Sequence, residues 1–228
     1  MKILIVAATW MEVKLLTDAF KLKENTNETV SRYQLSENEI DILVTGIGTT
    51  ATTYKLTSFL LNNSYDFVMN LGIAGSLNRK LKIGEVVNVV SEEFADLGVE
   101  NEEKFLTLFE SDFIDLNEFP FENGVLKASD SKGWIKLNEA HGITANKSHR
   151  HRKSISEIRQ KFSADVESME GAAVFYVCRN LGVPCFQIRA ISNYVDSEDA
   201  SNWDIPSALI NLNSTFLKLS QTFSVLAC

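Results

Sequence analysis

Apolar runs that alternate with helical patterns predict an α/β protein. The expected architecture is a single-domain three-layer α/β/α sandwich around a mixed, mainly parallel twisted sheet. Three observations carry this. The extended runs, such as "ILIVAA" at Ile3–Ala8, are continuously apolar, as in strands covered on both faces. Each of several runs is followed by a helix-spaced segment, the order that makes a parallel sheet. A chain of 228 residues with 45% apolar content can bury the large core such a sheet needs.

The elements follow in order. Ile3–Ala8 leads into a helical pattern over Met11–Leu22, and Ile40–Thr45 into one over Thr50–Leu61. Phe67–Leu71 and Gly84–Val90 are further strands, and a helix over Met169–Leu181 feeds a late strand at Pro184–Ile191. In the last segment Ile205, Leu209, Leu212, Phe216, Leu219 and Phe223 form one apolar helical face. Asp204 is its expected N-cap, with Pro206 in the first turn. Phe94–Glu122, rich in Phe and acidic residues, has weak periodicity and suits an active-site flap or a dimer contact. There is no repeat, low-complexity tract or linker, so one domain is expected over residues 1–228.

The totals exclude several classes. A net charge of −8 argues against a generic nucleic-acid surface and for a soluble, cytoplasmic protein. Cys178, Cys185 and Cys228 are odd in number and form no CxxC pair, so neither a disulfide framework nor a zinc site is indicated. The N-terminal run resembles a signal peptide only superficially: it is short, lacks an A-x-A site, and meets Glu12 and Lys14 at once. No run approaches the length of a membrane span.

Five stretches could carry chemistry. "TGIGTTA", Thr45–Ala51, matches GxGxxA, but it does not follow the first strand, and Asp66 precedes a strand where a ribose-binding acid would end one. A tight strand-to-helix turn explains it better than a dinucleotide site. "NLGIAGSL", Asn70–Leu77, ends a strand in small residues that allow a ligand close to the backbone, or simply a turn. In "DVESMEGAAVFYVC", Glu170 begins a helix; it suits either the helix dipole or two ribose hydroxyls. Glu12, just after the first strand, is a surface residue of a first helical turn or, if buried, a general base for water. "KSHRHRK", Lys147–Lys153, reads as a solvated basic loop or a site for an anionic substrate group; its His-x-His has no partner at metal-ligand spacing. No metal and no cofactor is expected.

The order of these stretches resembles the nucleosidase branch of the purine nucleoside phosphorylase/uridine phosphorylase family. The resemblance rests on Glu12 after the first strand, then "TGIG", "NLGIAGSL", "ESMEGAA" and "VPCFQIRAISN", and it spans nearly the whole chain except Phe94–Glu122. It implies cleavage of the N-glycosidic bond of a purine nucleoside by a homodimer. By resemblance, Glu12 activates the attacking water, and Met169 and Glu170 hold the ribose. Ile73, Ala74 and Gly75 form the small-residue loop, and Trp203 lines the pocket. Asn146, Lys147 and His149 fall in or beside the loop that contacts the base. Asn193 takes the base-recognising position, where relatives acting on adenine carry Asp. Phosphorylases of the family hold phosphate with arginines; here Asn70 stands at one such place, and "TWMEVKLL" supplies none at the other. A dianion without arginine is poorly held in a desolvated pocket, so water is the expected nucleophile. An amide cannot deliver a proton, but its NH2 can serve N7 and O6 of a 6-oxopurine; it can also pair with adenine. The implied substrate is thus a 6-oxopurine nucleoside, with an adenine nucleoside, phosphorolysis or a non-catalytic nucleoside-binding protein as the rivals. Lys147 and His149 are candidates for holding an anionic group at the pocket mouth.

Overall fold

The computed structural model describes residues 1–27, 29–102, 104–196 and 203–223. The apolar start forms β1 (Lys2–Ala7), which lies parallel between β4 (Asn38–Val44) and β5 (Phe67–Ser76). β12 (Cys185–Tyr194) runs parallel on the other side of β5, with Arg189 opposite Gly72 and Gln187 opposite Asn70. These strands are buried on both faces, which is why they read as continuous apolar runs.

Helices cover both faces as expected. α1 (Trp10–Ala19) and α5 (Ile205–Ser220) pack on one, where Ile3, Ile5, Leu16, Leu212 and Phe216 share a core. α2 (Thr49–Leu60) and α4 (Gly171–Leu181) pack on the other, around Leu4, Val6, Leu56 and Phe175. Asp204 caps α5, accepting from the Ser207 amide at 3.0 Å, with Pro206 in the first turn.

Some elements depart from the predicted bounds. α1 stops at Ala19, and Leu22 belongs to β2 (Lys21–Asn27), which hairpins onto β3 (Val30–Leu35). β2 is polar at every position but Leu22, which hides it as a strand. The basic cluster is not one solvated loop: His149 is buried, and Arg152 and Lys153 begin α3 (Arg152–Lys161), whose Ile155 and Ile158 face the interior. Phe94–Glu122 contains the small β7 (Gly98–Glu100) and β8 (Phe105–Thr107) hairpin.

The sheet also does more than twist. β6 (Val86–Phe94) pairs antiparallel with β12 and parallel with β10 (Asn138–Thr144), and β10 pairs with β11 (Val166–Ser168). β11 then returns to pair with Gly75 and Ser76 of β5. Five strands therefore close on themselves within the mixed sheet that was expected. Register shifts at Ala140/His141 and Ile191/Asn193 supply the curvature, as bulges do in barrels. The second of these falls at the candidate base-recognising residue. A two-residue strand, β9 (Leu126–Lys127), adds to β6.

Candidate active site

The carboxyl ends of β1, β5 and β12 converge beside the starts of α1, α2 and α4, and four charged side chains are buried in the same region: Glu12, Glu92, Glu170 and Arg189. Burying so many charges is costly unless they serve one another or a ligand.

Glu12 is not a surface residue. Its Oε2 accepts from the Thr9 amide at 2.9 Å and the Thr9 hydroxyl at 3.3 Å, closing the first turn of α1 as a T-x-x-E box does. Its Oε1 accepts from the Ile73 amide at 3.3 Å. Burial pushes its pKa up; Arg189 pulls it back, and Glu170 adds to the rise.

Arg189 is the residue that sequence reasoning missed. It is 1% exposed, and its Nε and Nη2 have no hydrogen-bond partner. Nη2 lies 3.9 Å from Glu170 Oε2. A side chain at position 72 would exclude both partners: a Cβ on Gly72 would fall 1.9 Å from Arg189 Nη1 and 2.8 Å from Glu12 Oε1. The guanidinium and the carboxylate thus share the space over one glycine without forming a direct ion pair. The available signal was a polar pair two apart, Gln187 and Arg189, in an otherwise apolar strand, which puts both on one face.

Glu170 is the N-cap residue of α4 but does not cap it with its side chain. Its Oε1 instead accepts from the amide of Gly48 at 3.0 Å. Gly48 begins α2 with φ of 91°, a conformation that favours glycine. "TGIG" is therefore the turn it was read as, and it also holds Glu170. Met169, half-buried, precedes it.

Asn193 lies at the bulge of β12, over Gly75, where a Cβ would sit 3.3 Å from its Nδ2. Ser192 Oγ donates to its Oδ1 at 2.7 Å and is 3.2 Å from the Ala74 carbonyl. Nδ2 donates one hydrogen to the Tyr194 carbonyl at 3.2 Å. Ile73, Ala74 and Gly75 thus span the site, one end on Glu12 and the other at Asn193.

The remaining candidates sit at or beyond its rim. Asn146 is engaged: Oδ1 accepts from the Thr49 amide at 3.0 Å and hydroxyl at 2.8 Å, and its own amide donates to Asp96 at 2.7 Å. His149 is held by Glu167 through both its ring Nδ1 and its backbone amide. Lys147 and His149 line a cleft of about 840 Å³ between the β7–β8 hairpin and α3, and none of Glu12, Met169, Glu170 or Asn193 lines it. Trp203 is half-buried, its Nε1 has no partner, and the Arg150 guanidinium lies 4.8 Å from its ring centre. The next residue, Asp204, donates its amide to Ser192 at 2.8 Å, which ties Trp203 to the site strand. Among the described residues no cluster of three or more His, Cys, Asp or Glu is placed to hold a metal ion, and no helix is long and apolar enough to cross a membrane.

The fold that carries these side chains belongs to a known class. Residues 2–223 match the family model described as the phosphorylase superfamily, and the chain belongs to that family. Solved structures with the same fold include a Helicobacter pylori 5′-methylthioadenosine nucleosidase mutant holding 5′-methylthioadenosine, at 21% identity over 96% of this chain and 98% of that one, TM-score 0.80. The H. pylori futalosine hydrolase is similar to the same degree, at 21% identity over 96% and 97%, TM-score 0.80. So is the Neisseria meningitidis 5′-methylthioadenosine/S-adenosylhomocysteine nucleosidase with methylthio-immucillin-A, at 19% over 97% and 99%, TM-score 0.80.

Proposed function

We propose that this protein hydrolyses the N-glycosidic bond of a 6-oxopurine nucleoside, with futalosine as the substrate and hypoxanthine as the released base, a step of menaquinone biosynthesis. The observation that carries the reading is that Glu12 and Arg189 meet over Gly72, with Glu170 3.9 Å from Arg189 and Asn193 over Gly75 of the same strand.

The chemistry assigns each part. Glu170 keeps lone pairs free for two ribose hydroxyls after accepting from Gly48. Met169 packs beneath the sugar. Water attacks C1′ while the bond to the purine breaks and its electrons retreat into the base. Glu12, its pKa raised by burial, takes the proton of that water. Arg189, with donors unclaimed by the protein, orients the water and offsets the two carboxylates.

Water is favoured over phosphate on charge. Arg189 is flanked by Glu12 and Glu170, so a phosphate dianion there would face two carboxylates for one guanidinium. Asn70 is no substitute, because its Nδ2 is given to Gln187 at 2.9 Å.

The base preference rests on Asn193. Ser192 donates to its oxygen and one NH2 hydrogen goes to the Tyr194 carbonyl, so a single N–H is left for a ligand, and it suits a hydrogen bond shared between the adjacent N7 and O6 acceptors of a 6-oxopurine. Structures named for adenine nucleosidases and for a futalosine hydrolase resemble this chain equally, so the fold itself favours neither. We also take the protein to be a cytoplasmic homodimer: Ile47, Tyr54 and Leu61 are exposed at intervals of seven residues on or beside α2.

The test is base release by chromatography, from futalosine and from methylthioadenosine, each with and without phosphate. Hypoxanthine from futalosine, indifferent to phosphate, is expected. Adenine alone would overturn the reading of Asn193, strict phosphate dependence would overturn hydrolysis, and tight binding without turnover would make this a nucleoside-binding protein.

A further inference from the structure

Beneath the first turn of α4 a polar chain crosses the sheet, and the catalytic roles above do not use it. At its centre is Glu92, fully buried on β6. Its Oε1 accepts from Gln187 Nε2 at 2.6 Å and its Oε2 from Thr144 Oγ1 at 2.9 Å. Each arm continues outward. Gln187 Oε1 accepts from Asn70 Nδ2 at 2.9 Å, and Thr144 Oγ1 accepts from the backbone amide of Ala172 at 2.8 Å. Glu92 also lies directly under Gly171, where a Cβ would fall 2.0 Å from Oε1. Ala172 and Gly171 are the first residues after Glu170.

We propose that Glu92 is a positioning residue: as a carboxylate it fixes the start of α4, through Thr144 and Gly171, and so sets Glu170 for the ribose. This rests on the reading of Glu170 as a ribose ligand.

The direction of the hydrogen bonds carries the argument. The amide of Ala172 can only donate, so Thr144 must receive it and has its own proton to give to Glu92. On the other arm, Asn70 donates to Gln187 and Gln187 to Glu92. Every donor in the chain therefore points at Glu92, an arrangement that an ionised carboxylate satisfies on both sides. A proton on Oε2 would face the Thr144 hydroxyl hydrogen. A proton on Oε1 would face the Gln187 NH2, and turning that amide would set its NH2 against that of Asn70. Relief in either case has to come from the groups that seat α4.

The charges that face Glu92 are Arg189 on β12, which favours the ionised form, and Glu170 at the start of α4, which opposes it. β5 and β10 present the uncharged Asn70 and Thr144. Lys127 on β9 is turned to Glu122, and Glu93, next on β6, points to the other face with His141. Burial pushes the Glu92 pKa up to about 7, against the pull of Gln187, Arg189 and Thr144. The chain would thus change polarity close to neutral pH.

The experiment compares kcat and KM for nucleoside cleavage in wild type, Glu92→Gln, Thr144→Val and Thr144→Ser, from about pH 5.5 to about 8.5. In the wild type KM should rise on the order of tenfold as pH falls through the Glu92 titration, the scale of one charged hydrogen bond. Glu92→Gln should hold a raised KM that is flat across this range, while its kcat keeps the wild-type pH dependence. Thr144→Val should behave like it, and Thr144→Ser should restore the wild-type profile. An inflection in KM that survives in Glu92→Gln overturns the proposal, as does a Thr144→Val protein with wild-type KM. If Glu92→Gln does not fold, the two Thr144 variants decide. A wild type that cleaves no purine nucleoside at any pH would instead sink the reading of the site, and this inference with it.

Discussion

Glu170 reaches across to Gly48 and accepts its amide at 3.0 Å, so the acid at the start of one helix is held by the N-terminus of another. Two segments 122 residues apart in sequence thereby set one oxygen, while the other faces Arg189. The first amide of α2 thus takes up an oxygen that Glu170 does not give to its own helix.

Glu12→Gln should lower turnover by about 10³-fold, within the range for loss of a general base, and leave nucleoside binding nearly intact. Because burial raises the Glu12 pKa, wild-type kcat/KM should fall with acidity at a pH above the ordinary carboxylate range. Arg189 lowers that pKa, so Arg189→Gln should move this limb to higher pH still. A pH–rate profile of both proteins checks the order of the limbs.

Gly72→Ala should be damaging whatever the substrate. The added methyl would meet Arg189 Nη1 and Glu12 Oε1 at 1.9 and 2.8 Å, and Arg189 is too enclosed to retreat. A loss of about 1–3 kcal/mol is expected for overpacking of this kind. Chemical denaturation measures it, and a variant as stable as wild type would show that Arg189 can move.

Asn193→Asp should turn the base preference toward adenine, because a carboxyl group can be protonated and donate to N7. The ratio of kcat/KM for methylthioadenosine over futalosine should rise at least about tenfold. An unchanged ratio would mean that another group reads the base.

Stability should fall as pH rises from about 4.5 to about 7. The folded protein holds a proton on Glu92 up to about pH 7, whereas the unfolded chain releases it near 4.5. The folded state therefore binds more protons inside this window, and stability is greatest below it. Glu92→Gln removes this contribution. The Tm of wild type relative to Glu92→Gln should drop by a few degrees across the window, read by thermal melts at matched ionic strength.

The layers were legible in the sequence because α1, α2 and α5 carry regular apolar faces, and β1, β4 and β12 are buried on both sides. The closure of β5 through β11 was not, since it depends on two register shifts and a strand of three residues. Glu12 and Glu170 stood out by position, but their burial did not, because local pattern says nothing of what packs over a helix start. Arg189 was hidden as one charge inside an apolar strand. Glu92 and Thr144 meet only after β6 and β10 pair, so no spacing along the chain announces them.

The curling of the sheet also bears on what the protein does in a crowded solution. Bringing β11 back to β5 ties off one side of the sheet, where unpaired amides would otherwise invite another chain. The long free edge that remains is β2, which presents exposed Lys21, Lys23 and Glu24. Antiparallel addition of a second copy in full register would set Glu24 against Glu24, so the protein's colloidal behaviour rests on a few polar residues far from its chemistry.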